Sequence, residues 1–121
     1  MAEVFGEGEG STPSRMRALL EDERFRLFAA FVDGAPVGGL SAHVLPLTRL
    51  HGAELFIYDI AVVAGFQRHG IGKSLMQAAV ADARQLGLIG SFVPAEADDS
   101  DALEFYRRIG GVEQAASIFG F

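Results

Sequence analysis

Apolar positions change their spacing several times along the chain, and each change marks an element. Residues 25–32 and 37–45 are two apolar runs around Asp33-Gly34, a pair suited to a type I′ turn, so they predict a β-hairpin. Pro46 ends its second strand, His51-Gly52 marks a loop, and residues 54–63 predict a third strand rich in β-branched and aromatic side chains. After Gly70 the period lengthens. Ile71, Leu75, Met76, Ala79, Val80, Ala83 and Leu86 recur at steps of three and four, the stripe of an amphipathic helix that Gly87 stops. Residues 88–94 read as a buried strand. A helix carrying Leu103, Phe105, Tyr106 and Ile109 follows, capped by Ser100 or Asp101 and ended by Gly110-Gly111, and residues 112–121 return as a final strand. Ahead of the hairpin, Ser14 caps a helix in which Met16, Leu19 and Leu20 share a face; Glu21, Asp22 and Glu23 oppose its dipole and keep it short. Residues 1–13, with Gly6, Gly8 and Gly10 between acids, have little to bury and are expected to form a flexible arm. The strand–helix–strand crossover requires at least one parallel pair, so residues 14–121 are expected to form a single α/β (α+β) domain.

Composition narrows the function classes. With 121 residues, half of them apolar, the chain has the profile of one globular domain with a core of its own. It has no cysteine, which removes disulfides, thiolate zinc sites and cysteine nucleophiles and fits a reducing cytoplasm. Sixteen acids against ten bases give a charge of −6, which disfavours nucleic acid and anionic membranes and favours a cationic partner. No apolar run approaches the ~20 residues of a membrane span. His43, His51 and His69 are scattered without metal-ligand spacing, so no metal site is expected.

The chemistry concentrates in Gln67-Arg68-His69-Gly70-Ile71-Gly72-Lys73-Ser74, between a strand end and a helix start. Glycines there let backbone approach a ligand closely, and unpaired N–H groups with a positive dipole end bind phosphate oxygens. Arg68 and Lys73 add charge, and His69 is a further phosphate contact or a plain loop residue. The plainer reading is a tight strand-to-helix turn. Two nucleotide motifs fail: Gln67 occupies the first glycine position of a P-loop, and Leu75 stands where a dinucleotide fingerprint needs glycine.

From about Ser14 to its end the sequence resembles the GNAT superfamily of N-acetyltransferases, whose Q/R-x-x-G-x-G/A loop it carries at Gln67–Gly72. Within that superfamily it is most similar to the aminoglycoside 3-N-acetyltransferases, on Phe56 to Val62 leading into the loop and on Ala95-Glu96-Ala97-Asp98-Asp99 preceding Ala102-Leu103-Glu104-Phe105-Tyr106. The resemblance implies a mixed, mostly antiparallel sheet with one parallel pair and helices on both faces. Relatives usually begin with an extra strand and a long helix, so the N-terminal strand is expected to be missing, and the strand over residues 25–32 to lie at a sheet edge that invites a homodimer.

The resemblance also implies acetyl-CoA as cosubstrate, with the pyrophosphate on residues 67–74 and the strand segment Ile60, Ala61, Val62 and Val63 beside the thioester. An amine attacking a thioester needs a proton removed, an oxyanion held and a thiolate protonated. Asp59 is the candidate base. At period two it shares a face with Ile57 and Ala61, where an apolar setting raises a carboxyl's affinity for protons. Tyr106 matches the phenol that protonates the sulfur in the family, and by itself reads as core. A backbone N–H near Val62 or Val63 is the oxyanion donor. Tyr58 and the acidic Glu96, Asp98 and Asp99, near Asp101 and Glu104, are candidates for holding a cationic amine, against the plainer reading of a solvated loop with a helix cap. The leading function is acetylation of an aminoglycoside amine by direct transfer. Alternatives are acetylation of a polyamine or other small cationic amine, and a non-catalytic CoA- or nucleotide-binding or interaction module.

Overall fold

The computed structural model describes residues 13–48 and 52–121; most of the predicted arm, and His51, lie outside them. Eight elements follow in order: helix α1 (Pro13–Glu21), strands β1 (Phe25–Val32), β2 (Ala35–Pro46) and β3 (Ala53–Val62), a 3₁₀ turn (Ala64–Phe66), helix α2 (Ile71–Gln85), strand β4 (Ser91–Phe92) and helix α3 (Ser100–Arg108). The hairpin forms as expected. Asp33 (φ 50°) and Gly34 (φ 80°) both sit at positive φ, the demand of a type I′ turn. The sheet runs β1-β2-β3-β4, antiparallel except for β3 and β4, which are parallel and joined through α2.

Period two on the strands and period 3.6 on α2 meet in the core. Leu40 and Ala42 of β2, Leu55 and Ile57 of β3, and Leu75, Met76, Ala79 and Ala83 of α2 form one buried cluster. Phe105, Tyr106 and Ile109 of α3 pack against its margin. Arg26 of β1 clasps Asp82 of α2 in a two-pronged ion pair, Nε to Oδ2 at 2.8 Å and Nη2 to Oδ1 at 2.7 Å, tying the sheet edge to the helix. None of the described helices is long and apolar enough to cross a membrane.

Three expectations change. α1 starts at Pro13, so Ser14 lies inside the helix instead of capping it; the fixed φ of proline is well suited to a first helical turn. The strand expected over residues 88–94 reduces to Ser91–Phe92, because β3 pairs with it only at Leu55/Ser91 and Phe56/Phe92. Residues 112–121 form no strand. They find no ladder partner beyond β4, and Val112 (90% exposed) and Ile118 (86%) bury nothing.

Candidate functional site

A bulge in β3 builds the site. Ser41 pairs with Asp59 but Ala42 pairs with Ile57, leaving Tyr58 as the extra residue. The bulge shifts the alternation, so Asp59 leaves the buried face of Ile57 and sits opposite Ser41, whose Oγ donates to its Oδ2 at 3.4 Å. Asp59 is exposed. The apolar enclosure expected from strict period two is therefore absent, and the carboxylate is held by a hydroxyl at a water-accessible bend. Ser41 is itself buried, and no pattern in the sequence singles it out, since the bulge that aligns it is not encoded in a recognisable motif.

Past Phe56, β3 and β4 share no further pairing, so the sheet opens. The Val63 N–H donates to the Val37 carbonyl at 2.8 Å, which removes Val63 as an oxyanion donor. Antiparallel alternation then turns the backbone groups of Ile60 and Val62 the other way, toward the split, while Ala61 faces β2. Consistent with this, the Val62 carbonyl accepts from Gln67 Nε2 at 3.1 Å, and that bond folds the loop back onto the strand end. Arg68 (φ 66°) and Gly70 (φ 79°) take the chain twice through the left-handed region. Gly70 heads α2 without any side-chain cap, and its carbonyl accepts the first helical bond from Ser74 (3.0 Å), so the N–H groups of Ile71, Gly72 and Lys73 lack acceptors within the helix. Arg68, His69, Lys73 and Ser74 are exposed around this helix end, whose open N–H groups suit an anion.

Helix α3 closes the other side. A Cβ on Gly72 would lie 3.2 Å from Phe105 Cζ, so the two helices meet at that glycine. Tyr106, the next residue, is half-buried with its ring edge-on to Phe105. Burial, with the Asp99 carboxylate adding to it, pushes its phenol above the ordinary value of about 10. Asp99 also caps α3, accepting from the Ala102 N–H at 3.1 Å, where Ser100 or Asp101 was expected. Glu96, Asp98 and Asp101 are exposed, and Glu104 pairs loosely with Arg108 at 3.9 Å. Asp59 and Tyr106 make no hydrogen bond to each other. Among the described residues no three His, Asp or Glu side chains converge as a metal site would need. A groove of about 570 Å³ between β1 and α2 is lined by His69 and Gly70 among others and holds neither Asp59 nor Tyr106.

The family model of the Acetyltransferase (GNAT) family matches residues 3–111. The chain belongs to this family. An aminoglycoside acetyltransferase from an uncultured soil metagenomic sample, solved with trehalose and with sisomicin, is 32% identical with TM-score 0.88, over 99% of this chain and 81% of its own. A second aminoglycoside acetyltransferase, also from an uncultured soil metagenomic sample, is 28% identical with TM-score 0.88, over 99% and 83%. An aminoglycoside 6'-N-acetyltransferase from Acinetobacter haemolyticus shares the fold at 20% identity and TM-score 0.81, over 98% and 84%. No curated protein matches significantly.

As a GNAT protein the chain is an acetyl-CoA-dependent N-acetyltransferase. Its own residues fit that cosubstrate: an uncapped helix start with open N–H groups and two exposed cations, beside a strand split. One detail differs from the expectation for Gly72, whose missing side chain leaves room for Phe105 and not only for a phosphate. Gly72→Val is therefore expected to push α3 away and cost about 1–3 kcal/mol of stability. Its melting temperature should fall and transfer should be lost, whereas Gly72→Val protein that melts like wild type would show that the helix contact is slack.

Proposed function

We propose that the chain transfers the acetyl group of acetyl-CoA to an aminoglycoside amine, in a complex holding both substrates. The observation that carries this reading is the likeness, 32% identical over 99% of this chain, to an acetyltransferase solved with sisomicin. The site chemistry supports it. Acetyl-CoA, when bound, supplies the activated thioester. The open N–H groups at residues 71–73, with Arg68 and Lys73, hold the pyrophosphate, and Gln67 keeps the loop in shape by its bond to Val62. The Val62 N–H, turned into the split, donates to the carbonyl oxygen as negative charge develops. Asp59 takes the proton of the attacking amine, and Tyr106, kept protonated by burial, returns one to the departing sulfur.

Resemblance of the Tyr58-Asp59 strand and the acidic segment supports the 3-amine as the position acetylated; NMR of the product separates it from the 6'-amine. The test of the function is thiol release over an amine panel. Turnover of sisomicin is expected; turnover of spermidine alone would move the acceptor to polyamines, and acetyl-CoA binding without any turnover would leave a binding module.

Glu96, Asp98 and Asp99 are proposed to raise the local concentration of the polycationic acceptor. Asp98→Asn with Asp99→Asn should raise KM for sisomicin and flatten its salt dependence, with KM for acetyl-CoA nearly unchanged. Asparagine caps a helix about as well as aspartate, so α3 should survive the change. An unchanged KM would leave the acidic segment as a solvated loop. The β1 edge, with Phe31 exposed, supports a homodimer. Light scattering should show two chains at micromolar concentration, and a strict monomer would refute it.

A further inference from the structure

The sheet face opposite α2 carries a row of rings that the transfer chemistry above does not use. Phe25 pairs with His43 across β1 and β2, His43 with Phe56 across β2 and β3, and Phe56 with Phe92 across β3 and β4, so one line of cross-strand partners spans the whole sheet. Their rings touch as two pairs, Phe25 with His43 at 5.3 Å and Phe56 with Phe92 at 5.0 Å, the latter stacked within 10°. Tyr58, on the face of Phe56 by ordinary alternation, lies edge-on to both His43 (6.2 Å) and Phe56 (5.6 Å), and the bulge adds Asp59 beside it. Tyr58 is 62% exposed and Phe92 40%, so the row is open to a ligand.

A shallow pocket of about 370 Å³ opens over it, walled by His43, Val44, Phe56 and Tyr58. The charges on its rim, Asp22 and Arg24, pair with each other at 3.5 Å, which leaves the body of the pocket close to neutral. Toward the sheet split the carboxylate that borders the row is Asp59; Asp22 is paired with Arg24, and Glu54 lies at the opposite end of the β3 face. Ser41 and His43 share a face of β2, Ser41 binds Asp59 and His43 touches Tyr58, so Asp59 borders the ring row on the side of the sheet split.

We infer that this row is the platform for the acceptor: an aminosugar ring lies with its C–H face on Tyr58 and the side of His43, its amine directed to Asp59. This rests on the aminoglycoside reading above and deepens it. Aromatic faces are electron-rich and attract C–H groups and cations, and they do so best over a flat, rigid partner. A flat aromatic surface bordered by the Asp59 carboxylate suits a ring that bears an amine. A linear polyamine brings ammonium groups that the rings also attract, but it offers no flat face to cover them and loses more chain freedom on binding. His43 thereby becomes a specificity-determining residue, because it sets the tilt of Tyr58.

The experiment compares the full chain with Tyr58→Ala, Tyr58→Phe and His43→Ala, measuring calorimetric binding of sisomicin with CoA present and KM for sisomicin and acetyl-CoA. Tyr58→Ala should weaken sisomicin binding and raise its KM about 10-fold, with Tyr58→Phe staying within about twofold of wild type, because the stacking face is kept. His43→Ala should fall between them, and KM for acetyl-CoA should not move. Tyr58 is largely exposed, so its removal leaves the core intact. If wild-type protein binds no sisomicin, the aminoglycoside reading fails and the platform with it. If wild type binds and Tyr58→Ala binds equally well, the platform alone is refuted.

Discussion

Asp59→Asn is expected to lower kcat by about 10²–10⁴-fold, the range of a lost general base, with KM for acetyl-CoA unchanged. The basis is the β3 bulge, which sets Asp59 against Ser41 on the open face beside the sheet split. Asparagine has nearly the same shape and still accepts from the Ser41 hydroxyl, so the melting temperature should hold. Ser41→Ala should act through Asp59 and reduce kcat more mildly, leaving the carboxylate in place but loosely aimed. Steady-state rates for both variants with sisomicin or any accepted amine check the point. If Asp59→Asn keeps kcat within about twofold of wild type, proton removal belongs to another group or to water.

Tyr106→Phe is expected to cost about 10²-fold or more in kcat, because phenylalanine keeps the packing against Phe105 and loses only the proton donor. The pH dependence follows from the direction of the shift. Burial raises the folded-state value above the ordinary 10, so the phenol stays protonated and able to donate throughout the neutral range. The loss should therefore be the same from about pH 6 to about pH 9, and no basic limb in that range should belong to Tyr106. The linkage to stability has the same sign. An unfolded chain ionises its phenol near 10 while the folded one resists, so the contribution of Tyr106 is intact below that pH and is lost as pH climbs through the folded value. Wild-type kcat declining around pH 8 in a way that Tyr106→Phe abolishes would contradict this.

The elements with strong local signals are legible in the sequence alone. Asp33-Gly34 announces its turn because few other pairs accept two positive φ angles, and α2 announces itself through a stripe that becomes the buried row Leu75, Met76, Ala79 and Ala83. The loop at 67–72 is legible for the same reason, since Gly70 is required by its φ of 79°. What stays hidden depends on pairing between distant strands. Period two puts Asp59 with Ile57, and only the register against β2 reveals the inserted Tyr58 that turns Asp59 to the open face. The extent of β4 is hidden likewise, because an apolar run pairs only where a neighbouring strand stays alongside. The α3 cap falls among three adjacent polar residues that cap equally well, and geometry chooses Asp99. Gly72 reads as a phosphate position because nothing local points to Phe105, thirty-three residues further on.

Amide hydrogen exchange with and without acetyl-CoA tests whether the cosubstrate is held by the start of α2 and the split between β3 and β4. Protection is predicted at Val62 and at Ile71, Gly72 and Lys73, whose N–H groups the fold leaves turned toward the ligand. Protection confined to the groove between β1 and α2, at residues 27–31 and 75–78, or no protection at saturating acetyl-CoA, would contradict it.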